Sequence, residues 1–464
     1  MEKPPEYKSR QKSLLITFKD TLQKNTTYVI NFGKAIASLT EGVVLKNFTY
    51  VFSTGTHIDS LSIAGNVINT LTQQKEKDVT VMLFTLHQDS LLFGKKKPSV
   101  YTTTDTAGNF SISNLHEGLY KLYALKETTA DKIYNNDNEL IGIPTKTINL
   151  QNDTTGIQLK LFKQIPAKFR LERKVDPDGK ISLVFNKPLE KPGIRILYPT
   201  AQNEDKYVQI SKTRDTALLY VRNMDFDSLS VAVYDNNKPV DTTAIHKGRK
   251  ETYVRQITAA TTADTRQLLK PGTDLGITFN MPIIAYDPSL IVLKGDSTLL
   301  SDYTIDKDTS NLKHLTLKYK WRQNVSYNLT FNAGAVTGYF GDKNKQPIVK
   351  KFKIDKPENY SLLTLKVTVP DTAKAYIVEF FNEQNSLLRS DVIRKNTSLV
   401  YRNYITGKYH VRVIYDDNKN GIWDTGSIKN NRQPENVWVD KDIIALRPNF
   451  DSETTILIPR EPIL

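Results

Sequence analysis

Apolar and polar residues alternate in short runs along most of the chain. SLLITFKD (13–20), NTTYVINFG (25–33) and NFTYVFSTG (47–55) are each rich in β-branched and aromatic residues and end at Asp, Asn or Gly. A period of two puts one face of a strand inward and the other toward water. Turn markers recur about every 8 to 12 residues, a spacing that predicts sandwiches rather than βαβ units. Only short pieces such as KAIASLTEG (34–42) have a helical reading. The fold class expected is therefore all-β, with tandem β-sandwich domains strung end to end, each hiding its own apolar interior.

The sharpest alternation lies in TDTAGNFSISNLHEGLYKLYAL (104–125). Ala107-Gly108 makes a turn, Phe110 and Ile112 point inward, and Leu115 plugs the core edge. Gly118 turns the chain, and Tyr120, Leu122 and Ala124 alternate on the returning strand. A weaker copy, TGKYHVRVIYDDNKNGIWD (406–424), sets Gly407 and Tyr409 where Gly118 and Tyr120 stand. Between the two copies, LVFNKPL and ITFNMPI are instances of one pattern, strand, Phe-Asn, then Pro. VSYNLTFNAGAVTGYFGDKNKQPIVKKFKI (325–354) parallels the stretch that begins TTYVINFG near the start. The repeat is at domain scale. A chain of 464 residues exceeds one core, and the expected boundaries are 1–57, 58–163, 164–255, 256–357 and 358–464.

Composition narrows the chemistry. There is no cysteine, which removes disulfide scaffolds, thiolate metal sites and cysteine nucleophiles together. The net charge is +14, but Lys and Arg are interleaved with Asp and Glu throughout, which describes a solvated basic surface rather than a nucleic-acid groove. No apolar run is long enough to span a membrane as a helix. MEKPPEYKSRQ lacks the apolar core of a signal peptide, so export needs a signal upstream of Met1. The six histidines are scattered, without HxH or HExxH, and neither GxSxG nor a phosphate-binding loop is present. NAGAVTGYFG (332–341) reads as a turn.

The 58–163 segment resembles the carboxypeptidase-regulatory-like, or transthyretin-like, β-sandwich modules. Gly65 and Val67 match the start of their signature, and Thr104, Asp105, Gly108, Phe110, Ile112, Leu115, Gly118 and Tyr120 match the rest. Residues 358–464 read as a second module of the type. Through NTTYVINFGKAI, YVFSTG and DSLSIAGNV (25–67), and through YDDNKNGIWDTG and QPENV (415–437), the whole chain resembles the Ig-like (SbsA-type) surface proteins common in Bacteroidota. The resemblance implies an order of Ig-like, transthyretin-like, Ig-like, Ig-like, transthyretin-like. It also implies a lipid anchor on an upstream Cys and a first Ig-like domain whose opening strands precede NTTY. Residues 1–57 would then be part of a domain; a short terminal β-cap is the other reading. Asp-Ser/Thr-aliphatic tripeptides such as Asp59-Ser60-Leu61 and Asp371-Thr372-Ala373 resemble the O-glycosylation sites of exported Bacteroidota proteins, and equally suit a turn that opens a strand.

The one motif with metal-ligand spacing is DDNKNGIWD. Asp416, Asn418, Asn420, the carbonyl of Ile422 and Asp424 stand where a calcium loop places its oxygens. Ser427 occupies the place of the bidentate Glu of an EF-hand, and no helix flanks the loop. The bland reading is an Asn-Gly hairpin whose Asx side chains satisfy their own backbone. Any calcium would be weakly held and structural; no other cofactor is expected. Trp423 is expected to cover the sandwich edge. The corresponding loop of the first module, KETTADKIYNNDNE (126–139), lacks the spacing. The expected function is a non-catalytic scaffold or binding protein at the cell surface or in the periplasm, with a protein or glycan partner. A carbohydrate-binding accessory protein and a hydrolase with an unreadable site are the alternatives.

Overall fold

The computed structural model describes residues 5–10, 13–33, 35–38, 40–45, 48–248 and 252–462. The protein is all-β: among the described residues two short α-helices, Leu86–Leu92 and Ala201–Glu204, interrupt a succession of strands. The segment KAIASLTEG departs from its helical reading. Lys34 and Leu39 lie outside the described residues, and Ala37 forms an antiparallel bridge with Val44.

The regions read as the second and fifth domains (58–163 and 358–464) pair most of their strands alike. In the second, Leu61–Asn69 lies between Thr154–Lys163, parallel to it, and Asn109–Leu115, antiparallel. In the fifth, Tyr360–Thr368 lies between Ser452–Leu457, parallel, and Thr397–Ile405, antiparallel. The opposite layers also agree, with Thr80–Thr85 between Val100–Thr103 and Gly118–Lys126, and Ala375–Asn382 between Leu387–Ile393 and Gly407–Asp416. The Tyr120 hydroxyl donates to the carbonyl of His116 at 2.8 Å, and Tyr409 makes the same bond to Ile405. Phe110, Ile112 and Leu115 are buried, as alternation requires. Gly118–Lys126 departs from strict alternation, because Tyr123 and Leu125 are buried as well as Leu122 and Ala124. Its second face carries a separate cluster with Met82, Phe84, Ile141, Ile143 and Phe162. A strand covered on both sides has no polar face to alternate with.

The regions read as the third and fourth domains (164–255 and 256–357) each pack two larger sheets around their own core, centred on Leu183, Leu219 and Val231 in one and on Leu275, Leu293 and Leu329 in the other, and the fourth adds a two-stranded pair, Ile283–Tyr286 with Val336–Gly338. The repeated Phe-Asn-x-Pro motif has one role in both. Phe185 and Phe279 enter the cores. The Asn186 carboxamide accepts from Arg170 N at 2.9 Å and donates to the carbonyl of Lys168 at 3.0 Å. Asn280 accepts from Thr258 N at 2.9 Å and donates to the carbonyl of Gln256 at 3.0 Å. The remaining amide proton of each reaches back one domain, from Asn186 to Asp137 and from Asn280 to Asp178, both at 3.1 Å. The motif therefore fixes a strand and ties adjacent domains together.

The domains are not simply strung end to end. The third meets the fourth through Tyr220, which joins the fourth domain's core, and through the rings of Tyr207 and Tyr339, 5.1 Å apart. Between the fourth and fifth, Asn403 donates to the carbonyl of Pro271 at 3.0 Å and the Lys270 ammonium lies over the Tyr404 ring. The fifth then returns to the second. Four domains with separate cores close into a circuit. Residues 5–57 stand apart: they form two antiparallel pairs, Glu6–Arg10 with Ser13–Thr17 and Thr27–Asn31 with Thr49–Ser53. No residue described in that segment is buried.

Candidate functional site

The Asp/Asn-rich loop leaves the strand Gly407–Asp416 at a buried carboxylate. Asp416 Oδ1 accepts from Asn420 N at 3.0 Å, and Oδ2 accepts from Gly421 N at 2.9 Å. Lys419 and Gly421 have φ of 61° and 78°, so the chain doubles back in left-handed conformations. Asn418 Oδ1 also accepts from Asn420 N, and Asn420 Oδ1 accepts from Ile422 N at 2.9 Å. Both carboxamides turn their nitrogens to one oxygen, donating to Asp424 Oδ2 at 2.5 and 2.7 Å. The structure thus brings Asp416, Asn418, Asn420 and Asp424 together, while the side chain of Ile422 is exposed.

Sequence reasoning missed the residue that closes the loop. Glu435 accepts from Asp417 N with one oxygen and from Asp424 N with the other, each at 2.9 Å. Its carbonyl accepts from the Trp423 indole at 3.2 Å. Burial pushes its carboxyl above the usual range, reinforced by the neighbouring charges of Asp424 and Asp416. The only sequence signal was its place in QPENV, eleven positions past Asp424, and spacing alone does not connect the two. The donor set here, three carboxylates and two carboxamides, is hard and all-oxygen, of the kind calcium takes. The oxygens of Asp416 and Glu435 are, however, directed at backbone N–H groups, as the Asx-hairpin reading requires. Among the described residues no group of three or more His, Cys, Asp or Glu is arranged around a common metal position.

What this loop does is dock. Trp423 and Ile428 pack on the second domain's outer cluster of Met82, Phe84, Tyr123 and Phe162. Gly426 lies so close that a Cβ there would stand 2.5–2.8 Å from the Phe162 ring. Polar bonds frame the contact: Thr425 Oγ1 donates to the carbonyl of Lys163 at 2.6 Å, Ile428 N to Gln164 Oε1 at 2.8 Å, and Gln433 to the carbonyl of Ile143 at 2.8 Å. Lys160 Nζ reaches Asn436 at 2.7 Å, and burial holds its ammonium below the usual lysine range. From the adjoining strand, Arg412 pairs with Glu379 at 2.6 Å and donates to the carbonyl of Leu71 at 3.3 Å. Trp423 therefore covers the edge of its own sandwich and part of its neighbour's at once.

A second feature is an open cleft of about 570 Å³ between the third and fourth domains. Arg222, Lys247, Arg255, Lys343 and Lys345 line it, against Asp225 and Asp342. Arg255 is committed to structure, with its guanidinium on the carbonyls of Val221 and Arg222 and 3.2 Å from Asp342. Exposed Lys343 and Lys345 leave the cleft net cationic. Of the histidines, His116 pairs with Asp59 at 3.0 Å, His314 meets Thr278 Oγ1 at 3.2 Å, and His410 stacks on Phe381.

No protein-family model matches the chain, and no curated protein matches it. Solved structures overlap it weakly. The major pilin subunit of Bacillus cereus, BcpA, is 10% identical over 86% of this chain and 99% of that one, with a TM-score of 0.16. Titin domains A168–A170 are 14% identical over 55% and 92%, at 0.16. Invasin, a bacterial integrin-binding protein, is 9% identical over 78% and 76%, at 0.15.

Proposed function

We propose that the protein is a non-catalytic scaffold of the cell envelope, exported and held at the surface or in the periplasm, that presents its sandwich-end loops to a protein or glycan partner. The observation that carries this reading is the return contact of the fifth domain on the second through Trp423 and Gly426. It turns four independently cored sandwiches into one stiff unit, as a spacer or adhesive platform needs. The cationic cleft suits an anionic partner, whose charge it would steer and hold. The SbsA-type resemblance supports a lipid anchor and a Bacteroidota source. Calcium at Asp416, Asn418, Asn420, Ile422 and Asp424 would tighten the docking loop and take no part in chemistry.

Small-angle scattering tests the scaffold reading. The intact protein gives a compact, concentration-independent profile that loosens in Trp423→Asp. A wild-type profile of freely hinged beads overturns the reading. A glycan array decides between glycan and protein partners, with loss of any hit in Lys343→Glu/Lys345→Glu placing it at the cleft.

A further inference from the structure

The two larger sheets of the fourth domain present unlike faces to solvent. On one of them Asp306 and Lys318 both face out, and the lysine is balanced, with its ammonium 2.6 Å from the carboxylate. On the five-stranded sheet the outward positions follow from the register. Lys294, Asn328 and Lys351 stand opposite one another on three adjacent strands, Ile291–Gly295, Ser326–Phe331 and Ile348–Ile354. Leu299 extends that row on Thr298–Leu300. Val292, Thr330 and Val349 form the row on one side, and Ser326 with Lys353 the row on the other. Their sequence neighbours Leu293, Tyr327, Leu329, Phe331 and Phe352 are buried, so alternation turns this set outward. Lys350, opposite buried Leu329, is half-buried and belongs to the other side.

Lys294, Lys351 and Lys353 are exposed, and no carboxylate shares the three rows with them. Carboxylates at the corners are engaged elsewhere: Asp296 accepts from Ser326 N at 3.1 Å, and Asp264 pairs with Arg266 at 2.7 Å. Lys294 and Lys351 are two strand spacings apart, about 9.6 Å, and Lys351 and Lys353 are two residues apart on one strand, about 6.6 Å. Like charges on one face repel, a standing cost that an anionic partner relieves. Asn328, Ser326 and Thr330 set amide and hydroxyl groups between the ammonium groups.

Size and chemistry select the partner. The face spans three strand spacings by four residues, about 14 by 13 Å, or roughly 200 Å². A stable protein interface takes about 800 Å² per partner, so the face is too small for one. It carries no aromatic ring of the kind that anchors a protein in a bilayer interface. A short run of a linear polysaccharide fits it, and the spacing of Lys294 and Lys351 suits a carboxylate on alternate sugars. We propose that this face binds a linear acidic polysaccharide. Lys294 and Lys351 take carboxylates, Lys353 extends the track, and Asn328, Ser326 and Thr330 bond to hydroxyl groups. The proposal rests on the glycan arm of the binding reading above, and gives it a surface distinct from the cleft at Lys343 and Lys345.

The test titrates the full chain with hyaluronan oligosaccharides, which carry one carboxylate per disaccharide, and with neutral dextran. Hyaluronan binds and dextran does not, and the binding weakens as salt rises. Lys294→Gln/Lys351→Gln weakens it by on the order of tenfold. Lys96→Gln/Lys97→Gln removes equal charge from an exposed turn of the second domain and leaves it unchanged. Equal weakening in both variants reduces the effect to net charge and overturns the proposal. Loss in Lys343→Glu/Lys345→Glu, with none in Lys294→Gln/Lys351→Gln, assigns the binding to the cleft and also overturns it. So does the absence of hyaluronan binding, or binding of phosphatidylglycerol vesicles in its place. Scattering by the unliganded chain reads the scaffold separately, so the two failures are told apart.

Discussion

The second and fifth domains have the same order of strands within each layer, the same parallel closing strand and the same tyrosine bond at the same turn. They part where Leu140–Gly142 pairs with both layers of the second domain while Val437–Val439 pairs with one layer of the fifth, and above all at one loop. Both versions wrap on a buried carboxylate near their far end. Glu139 accepts from Thr128, Asn135 and Asn136 N, and Glu435 accepts from Asp417 and Asp424 N. The second domain's loop folds back on its own sheet, where Tyr134 stacks on Phe93 and Phe93 on Tyr123 at 3.9 Å. The fifth domain's loop runs on for about twenty residues and carries Trp423 and Gly426 out to the second domain. A loop with one kind of anchor thus either closes over its own sandwich, with Asp137 alone reaching the next domain, or carries an aromatic side chain onto another sandwich. Length and one aromatic decide which.

The largest expected effect breaks the likeness within the sheets. Gly65 sits at a bulge where a Cβ would come 1.9 Å from the carbonyl oxygen of Ile157, whereas Tyr360–Thr368 and Ser452–Leu457 pair without a bulge or a glycine. Gly65→Ala should destabilise the second domain by about 3 kcal/mol and leave the fifth intact, read by domain-resolved hydrogen exchange. Next is the loop itself. Trp423→Ala should cost about 2 kcal/mol and uncouple the second and fifth domains in denaturant titration, whereas Phe93→Ala should weaken the second domain alone. Equal uncoupling by both would erase the distinction between bridging and sealing. Asn280→Ala removes a carboxamide that holds its own strand and Asp178, and should cost about 1.5 kcal/mol; Asn186→Ala should behave alike at the preceding junction.

Proton linkage at Glu435 is a smaller effect. Its carboxyl is raised by burial first and by Asp424 and Asp416 after. A raised value in the folded state means that this contribution is full below the unfolded value, near 4.5, and is lost as pH rises through the folded value. The stability of the fifth domain should therefore fall slightly as pH rises above about 4.5, and Glu435→Gln should flatten that dependence in denaturant titration. Calcium should produce the smallest shift. Millimolar calcium should slow exchange in residues 416–424 by about threefold and leave 126–139 unchanged, and Asp424→Ala should abolish the response. Identical profiles with calcium and with chelator would remove the ion from the loop.

Much of the fold was legible because alternation is a local consequence of burying one face. Phe110, Ile112 and Leu115 could be placed from six consecutive positions, and the Gly-x-Tyr pairs at 118 and 407 marked equivalent turns. The Phe-Asn-x-Pro repeat was visible too, but not its work, since Asp137 and Asp178 lie far from Asn186 and Asn280 in sequence. In the candidate loop the Asx spacing predicted the turn and the convergence of Asp416, Asn418, Asn420 and Asp424. It could not supply Glu435, which approaches from beyond a further turn, nor the burial of Tyr123 and Leu125, which depends on what covers the second face.

The chain by itself determined the strands, their inward residues and the sites of tight turns, because each follows from steric preference and solvent exposure over a few neighbouring residues. Only the tertiary structure decided that the fifth domain closes on the second and that Glu435 closes the loop between Asp417 and Asp424. Those outcomes depend on contacts such as Trp423 with Phe162, about 260 residues apart, whose free energy is gained only once both surfaces are already built.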